Sequence, residues 1–116
     1  MKVIRKTKEA VKREDAHGGA GGRRLYVSAG EVKNPQFQAL THGYLPGGSR
    51  FAWHLHEGIE EIMLVLKGDG IVRDHDGEYP YSAGDLFIYP AGVEHEIENT
   101  GEEEHEYIFV RFRAGS

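Results

Sequence analysis

The chain has 116 residues, one domain's length, with 28% charged and 39% apolar residues and a formal net charge of −5. It contains no cysteine, which excludes disulfides, thiolate metal sites, iron–sulfur clusters and cysteine nucleophiles. The longest apolar runs span about five residues, far short of a membrane helix, and no apolar signal-peptide core opens the chain, so a cytoplasmic protein with no membrane partner is expected.

Charge is divided along the chain. Residues 1–24 carry eight Lys/Arg against three Asp/Glu, and residues 25–116 carry six against sixteen. An acidic body repels phosphate backbones, which argues against nucleic acid as a partner. Residues 1–24 are expected to form an irregular basic arm ending in a glycine-rich loop. Ile4, Ala10 and Val11 are the apolar anchors before His17-Gly18-Gly19-Ala20-Gly21-Gly22, and Lys6 to Asp15 predict at most a short helical turn. The glycine-rich run lacks the Gly-Lys-Ser/Thr ending of a phosphate loop, and it reads as backbone that needs positive φ, with His17 in no functional role.

From residue 25 to 116 the pattern is β. Strands are predicted over 24–28, 36–45, 50–56, 60–67, 70–74, 78–81, 86–89, 95–99 and 105–113. The breaks between them are rich in Gly, Pro and Asp, and Asp76-Gly77 marks a hairpin. Short strands at this spacing predict a single all-β domain, a sandwich or barrel. The runs Ile62–Leu66 and Ile108–Val110 are apolar at both parities, so both faces of these strands are expected to be covered. One face lines the barrel. The other calls for a second layer or a partner subunit, and a homodimer is predicted.

Four residues carry the chemistry: His54, His56, Glu61 and His95. His54 and His56 are two apart on a predicted strand and so share a face. Glu61 opens the next strand after a turn at Glu57-Gly58, and His95 follows Pro90-Ala91-Gly92. Three imidazoles and a carboxylate are sound ligands for a divalent first-row metal ion. A cation also removes the cost of an unpaired Glu inside an apolar barrel.

These residues stand in two spaced motifs. The first is Gly48, five residues, His54-x-His56, four residues, Glu61, six residues, Gly68. The second is Gly84, five residues, Pro90-x-Gly92, two residues, His95, three residues, Asn99. In both, the sequence resembles the cupins, small metal-binding proteins that include oxalate decarboxylase-like members. The resemblance implies a single β-barrel of jelly-roll type with one divalent metal ion per chain, held by His54, His56, Glu61 and His95. Glu60 competes with Glu61, but only Glu61 keeps six residues before Gly68. Four protein ligands leave two positions on an octahedral ion, which fits Mn or Fe best; Ni, Co, Zn and Cu are also admitted. The motif glycines and Asn99 are assigned turn-forming and structural roles.

The metal is expected to bind a small oxygen-rich organic molecule. The favoured reading is an enzyme of decarboxylase, dioxygenase or isomerase type, and the alternative is a non-catalytic small-molecule-binding or sensor cupin. Tyr44 and His42 are candidate acid/base groups, Glu57 and Glu60 candidate proton donors at the mouth. Trp53, Phe87, Tyr89 and Phe109 are candidate pocket walls. His75 and His105 are assigned no role.

Overall fold

The computed structural model of the protein describes residues 2–15 and 21–115. Most of the glycine-rich stretch, with His17, lies outside them. The described residues form ten strands: β1 (Glu14–Asp15), β2 (Gly22–Ser28), β3 (Phe37–Leu45), β4 (Arg50–His54), β5 (Ile59–Lys67), β6 (Gly70–Asp74), β7 (Gly77–Tyr81), β8 (Leu86–Tyr89), β9 (His95–Glu98) and β10 (His105–Arg113). A six-stranded sheet in the order β1-β2-β3-β10-β5-β8 packs with a four-stranded sheet in the order β4-β9-β6-β7. All pairings are antiparallel. This is the predicted all-β jelly roll.

Side-chain alternation decides which residues face the interior. In β5, Glu61, Met63 and Val65 are buried while Glu60 and Leu66 are exposed. Register then extends the inner face across the sheet. Glu61 lies opposite Arg111 on one side and Tyr89 on the other, and Met63 lies opposite Phe109 and Phe87. Leu45, Met63, Val65, Val72, Tyr81, Tyr89, Ile97 and Tyr107 form the core. Each such large side chain contributes roughly 1.5–3 kcal/mol by leaving water.

Polar groups buried with the core are paired. The Tyr81 hydroxyl is 2.7 Å from His105 Nδ1 and 2.5 Å from the Tyr107 hydroxyl. Gly68 has φ +105°, and a Cβ there would stand 2.0 Å from the His105 ring, so only glycine fits beneath it. Asn99 is fully buried and structural, as expected. Its amide donates to Leu45 O at 2.9 Å and Glu103 O at 2.8 Å, and its oxygen accepts from Gly101 N at 2.9 Å.

The short helical turn expected within residues 6–15 is present at Lys8–Ala10, with Val11 N donating to Thr7 O at 3.2 Å, but Glu14–Asp15 beyond it pairs with β2 as a strand that was not expected. The β6–β7 hairpin turns at His75-Asp76, because Asp74 Oδ1 accepts from both Asp76 N and Gly77 N and closes the turn without positive φ. Within the single chain, the outer face of β5 and β8 stays partly open. Leu66 is 42% exposed, and on the edge strand β8 Leu86 and Ile88 are 55% and 59% exposed.

Candidate metal and carboxylate site

The open end of the barrel is a cavity of about 480 Å³, and His54, His56, Glu61 and Arg111 are in its wall. Three pieces of local structure aim the histidines. β4 carries a bulge: Phe51 pairs with Ile97 and His54 with His95, so three steps on β4 match two on β9. The extra residue lets both Phe51 and His54 face inward. The strand then ends at His54, two residues earlier than predicted, and His56 sits in the following loop. The Pro90-Ala91-Gly92 turn, with Gly92 at φ +81°, fixes that loop, for Gly92 N donates to His56 O at 3.1 Å. One turn therefore starts the strand that carries His95 and anchors the backbone of His56.

The rings converge. Their centroids lie 4.4 Å apart for His54 and His95, 5.2 Å for His54 and His56, and 6.5 Å for His56 and His95. Tyr89 stacks on His95 at 3.9 Å. His54 Nδ1 lies 2.6 Å from Ala52 O, and His95 Nδ1 lies 3.0 Å from Val93 O. A carbonyl only accepts, so each Nδ1 carries the proton and each Nε2 offers a lone pair. The Nε2 atoms of His56 and His95 are buried without a hydrogen-bond partner. Burial, more than any neighbouring charge, pushes the pKa of both rings below the ordinary histidine value.

Glu61 is almost completely buried, and its Oε2 accepts from Arg111 Nε at 2.6 Å. Its carboxylate therefore faces a guanidinium already built into the barrel. Among the described residues, no three His, Cys, Asp or Glu side chains stand as a ready-made metal cage. The imidazoles are gathered, while the carboxylate is engaged by Arg111.

The other sequence candidates are placed elsewhere. Thr41 and Gly43 of β3 face the cavity, so His42 and Tyr44 take the opposite parity. His42 Nε2 pairs with Glu106 at 2.8 Å, and the Tyr44 hydroxyl accepts from Arg24 Nε at 2.8 Å. Glu57 and Glu60 are exposed and outside the cavity wall. Trp53 and Phe109 do line the cavity, whereas Phe87 packs against the core and Tyr89 belongs to it. Trp53 also stacks on His75 at 4.8 Å. The sequence reading missed Arg23 and Arg111 as cavity residues. For Arg111 a signal existed: it shares parity with the apolar inward residues Tyr107 and Phe109.

Comparison with known proteins agrees with this architecture. A family model described as a cupin domain matches residues 41–111. An oxalate-binding protein of Thermotoga maritima is 33% identical over 94 residues, covering 80% of this chain and 78% of its own. The crystal structure of a predicted oxalate decarboxylase from Thermotoga maritima superposes with a TM-score of 0.79 at 29% identity, covering 97% of this chain and all of that one. An RmlC-like cupin from Shewanella frigidimarina shares the fold, with a TM-score of 0.76 at 20% identity over 94% of this chain and 89% of its own. With more than half its length matched by the family model, the chain belongs to the cupins.

Proposed function

We propose that this cupin holds one divalent metal ion on His54, His56, His95 and Glu61 and binds a small carboxylate through it. The observation that carries the proposal is the pair of buried, unpartnered Nε2 atoms on His56 and His95. Each costs about 1–3 kcal/mol if left unsatisfied, and a shared cation satisfies both. Ligation needs neutral imidazoles, and the burial that lowers both pKa values keeps them neutral near pH 7. A nitrogen and oxygen donor set without sulfur suits Mn²⁺ or Fe²⁺, with Ni, Co, Zn and Cu following by availability. A bound ion would supply Lewis acidity toward a carboxylate oxygen.

Binding is better supported than turnover, which reverses the lean toward an enzyme. Decarboxylation needs a proton donor besides the metal ligands. Among the described residues of the cavity wall, every carboxyl and imidazole group belongs to the proposed ligand set. The Thermotoga maritima relative is an oxalate-binding protein, which supports the same reading. Oxalate titrated into metal-loaded protein is expected to bind, and chelation of the metal to abolish that binding. Steady CO₂ release or O₂ uptake would overturn the binding reading, and oxalate binding indifferent to chelation would overturn the metal.

The uncovered sheet face supports self-association. Ile62 pairs with Ile88 and Leu64 with Leu86 across β5 and β8, and both exposed β8 residues lie on this face. A contiguous apolar patch at a free sheet edge is what a twofold contact would cover. Ile88→Lys is expected to convert a dimer to a monomer in analytical ultracentrifugation with the fold retained. A parent chain that sediments as a monomer would sink the proposed contact.

A further inference from the structure

The cavity is too large and too apolar for oxalate alone. Oxalate has six non-hydrogen atoms, and at the ~30 Å³ that a water-sized group occupies in a liquid it fills about 180 Å³. The cavity measures about 480 Å³. Its wall is divided in chemistry. His54, His56, Glu61 and Arg111, with Arg23, Arg50 and Thr41, supply its polar lining, and Phe51, Ala52, Trp53, Ile97 and Phe109 supply its apolar lining.

The apolar part is built rather than incidental. Phe51 and Phe109 meet edge to face with centroids 6.2 Å apart. The Phe109 ring has its place because residue 43 is glycine, where a Cβ would stand 2.6 Å from Phe109 Cε2. The β4 bulge that turns His54 inward also turns Phe51 inward, so one backbone irregularity supplies both walls. Oxalate has no apolar surface to bury against these rings, and it would give up hydration there without return. A ligand with an oxygen-rich head and an apolar body matches both parts.

We propose that the preferred ligand is a 2-oxo carboxylate with a branched or aromatic side chain. Such an acid keeps oxalate's two oxygens on adjacent carbons and replaces one carboxylate oxygen with hydrocarbon. Its head meets the histidine and Arg111 wall, and its side chain meets Phe51, Ile97 and Phe109. This inference rests on the metal-binding reading above for the head group and on the cavity alone for the side chain.

The test is calorimetric titration of the Mn²⁺-loaded chain with oxalate, pyruvate, 4-methyl-2-oxopentanoate and 2-oxo-4-phenylbutanoate. Affinity is expected to rise at least tenfold from pyruvate to the phenyl acid and to pass that of oxalate. Ala52→Phe narrows the cavity at a solvent-exposed strand position, and the backbone carbonyl that meets His54 is retained. It is expected to compress the pyruvate-to-phenyl ratio below threefold. A rise that survives Ala52→Phe would place the side chain elsewhere and overturn the assignment. Oxalate binding with a flat or falling 2-oxo acid series would overturn the inference while leaving the metal reading intact. Binding by none of the four acids would overturn both. The series on the unmodified chain decides the matter even where the variant misfolds.

Discussion

In metal-free protein, Arg111→Met is expected to lower stability by about 2–3 kcal/mol, and a saturating divalent ion is expected to restore most of it. The argument starts from Glu61, which is 2% exposed and whose Oε2 is held by Arg111 Nε. Removing one partner of a buried ion pair costs about 3–5 kcal/mol, because the remaining charge is stranded away from water. The Arg111 side chain is 38% exposed, so water already screens part of the interaction and the lower figure applies. In a domain of this length that corresponds to a fall of about 10–20 °C in the unfolding midpoint. A cation on Glu61 supplies the charge that Arg111 supplied. In the parent protein the ion must share the carboxylate with the guanidinium, so its stabilising effect is smaller there. Thermal unfolding with and without Mn²⁺ therefore gives a larger metal-induced shift in Arg111→Met than in the parent. Glu61→Gln in the Arg111→Met background should recover stability without metal, since no stranded charge is left. Equal metal shifts in variant and parent would show that guanidinium and cation do not compete for Glu61.

The Glu61–Arg111 pair could not be read from the sequence, although most of the frame around it could. Spacing singled out His54, His56 and His95, whose rings lie together in the fold, and the motif glycines Gly48, Gly68, Gly84 and Gly92 all adopt positive φ. Strand ends fell within two residues because turn chemistry is local. What escaped depends on register between distant strands. Arg111 and Glu61 are fifty residues apart in sequence and meet only because β10 pairs with β5 in one particular alignment. Strand parity placed His54 and His56 on one strand face, whereas a bulge and a loop bring their rings together. A bulge inserts a residue without leaving a compositional mark, so period-two reasoning carries on through it. In β3 the parity was ambiguous because polar and apolar residues occur at both alternations. His42 and Tyr44 therefore looked as eligible for the interior as Thr41 and Gly43, the residues that line it.

The bulge and the Gly92 turn also make the metal assignment testable without disturbing the fold. His56→Ala is expected to weaken metal binding at least ~100-fold, since even residues that merely orient a ligand are worth about 10–100-fold. After dialysis the variant should retain less than about a tenth of an ion per chain. His56 lies outside the strands, and the bond that anchors its loop, Gly92 N to His56 O, uses only backbone that alanine keeps. Truncation also removes a buried nitrogen that has no partner. Eliminating that unsatisfied group offsets much of the packing lost with the ring, so metal-free stability should stay within about 1 kcal/mol of the parent. Metal added to the parent is expected to raise its unfolding temperature, and metal added to His56→Ala to leave it unchanged. His42→Ala is the matched control. That ring stacks on Tyr44 at 4.5 Å and pairs with Glu106 away from the cavity, so its loss should leave metal stoichiometry intact. Full metal content in His56→Ala, measured by elemental analysis on folded protein, would remove His56 from the ligand set. The buried Nε2 of that ring would then be a cost of the fold with no ion to offset it.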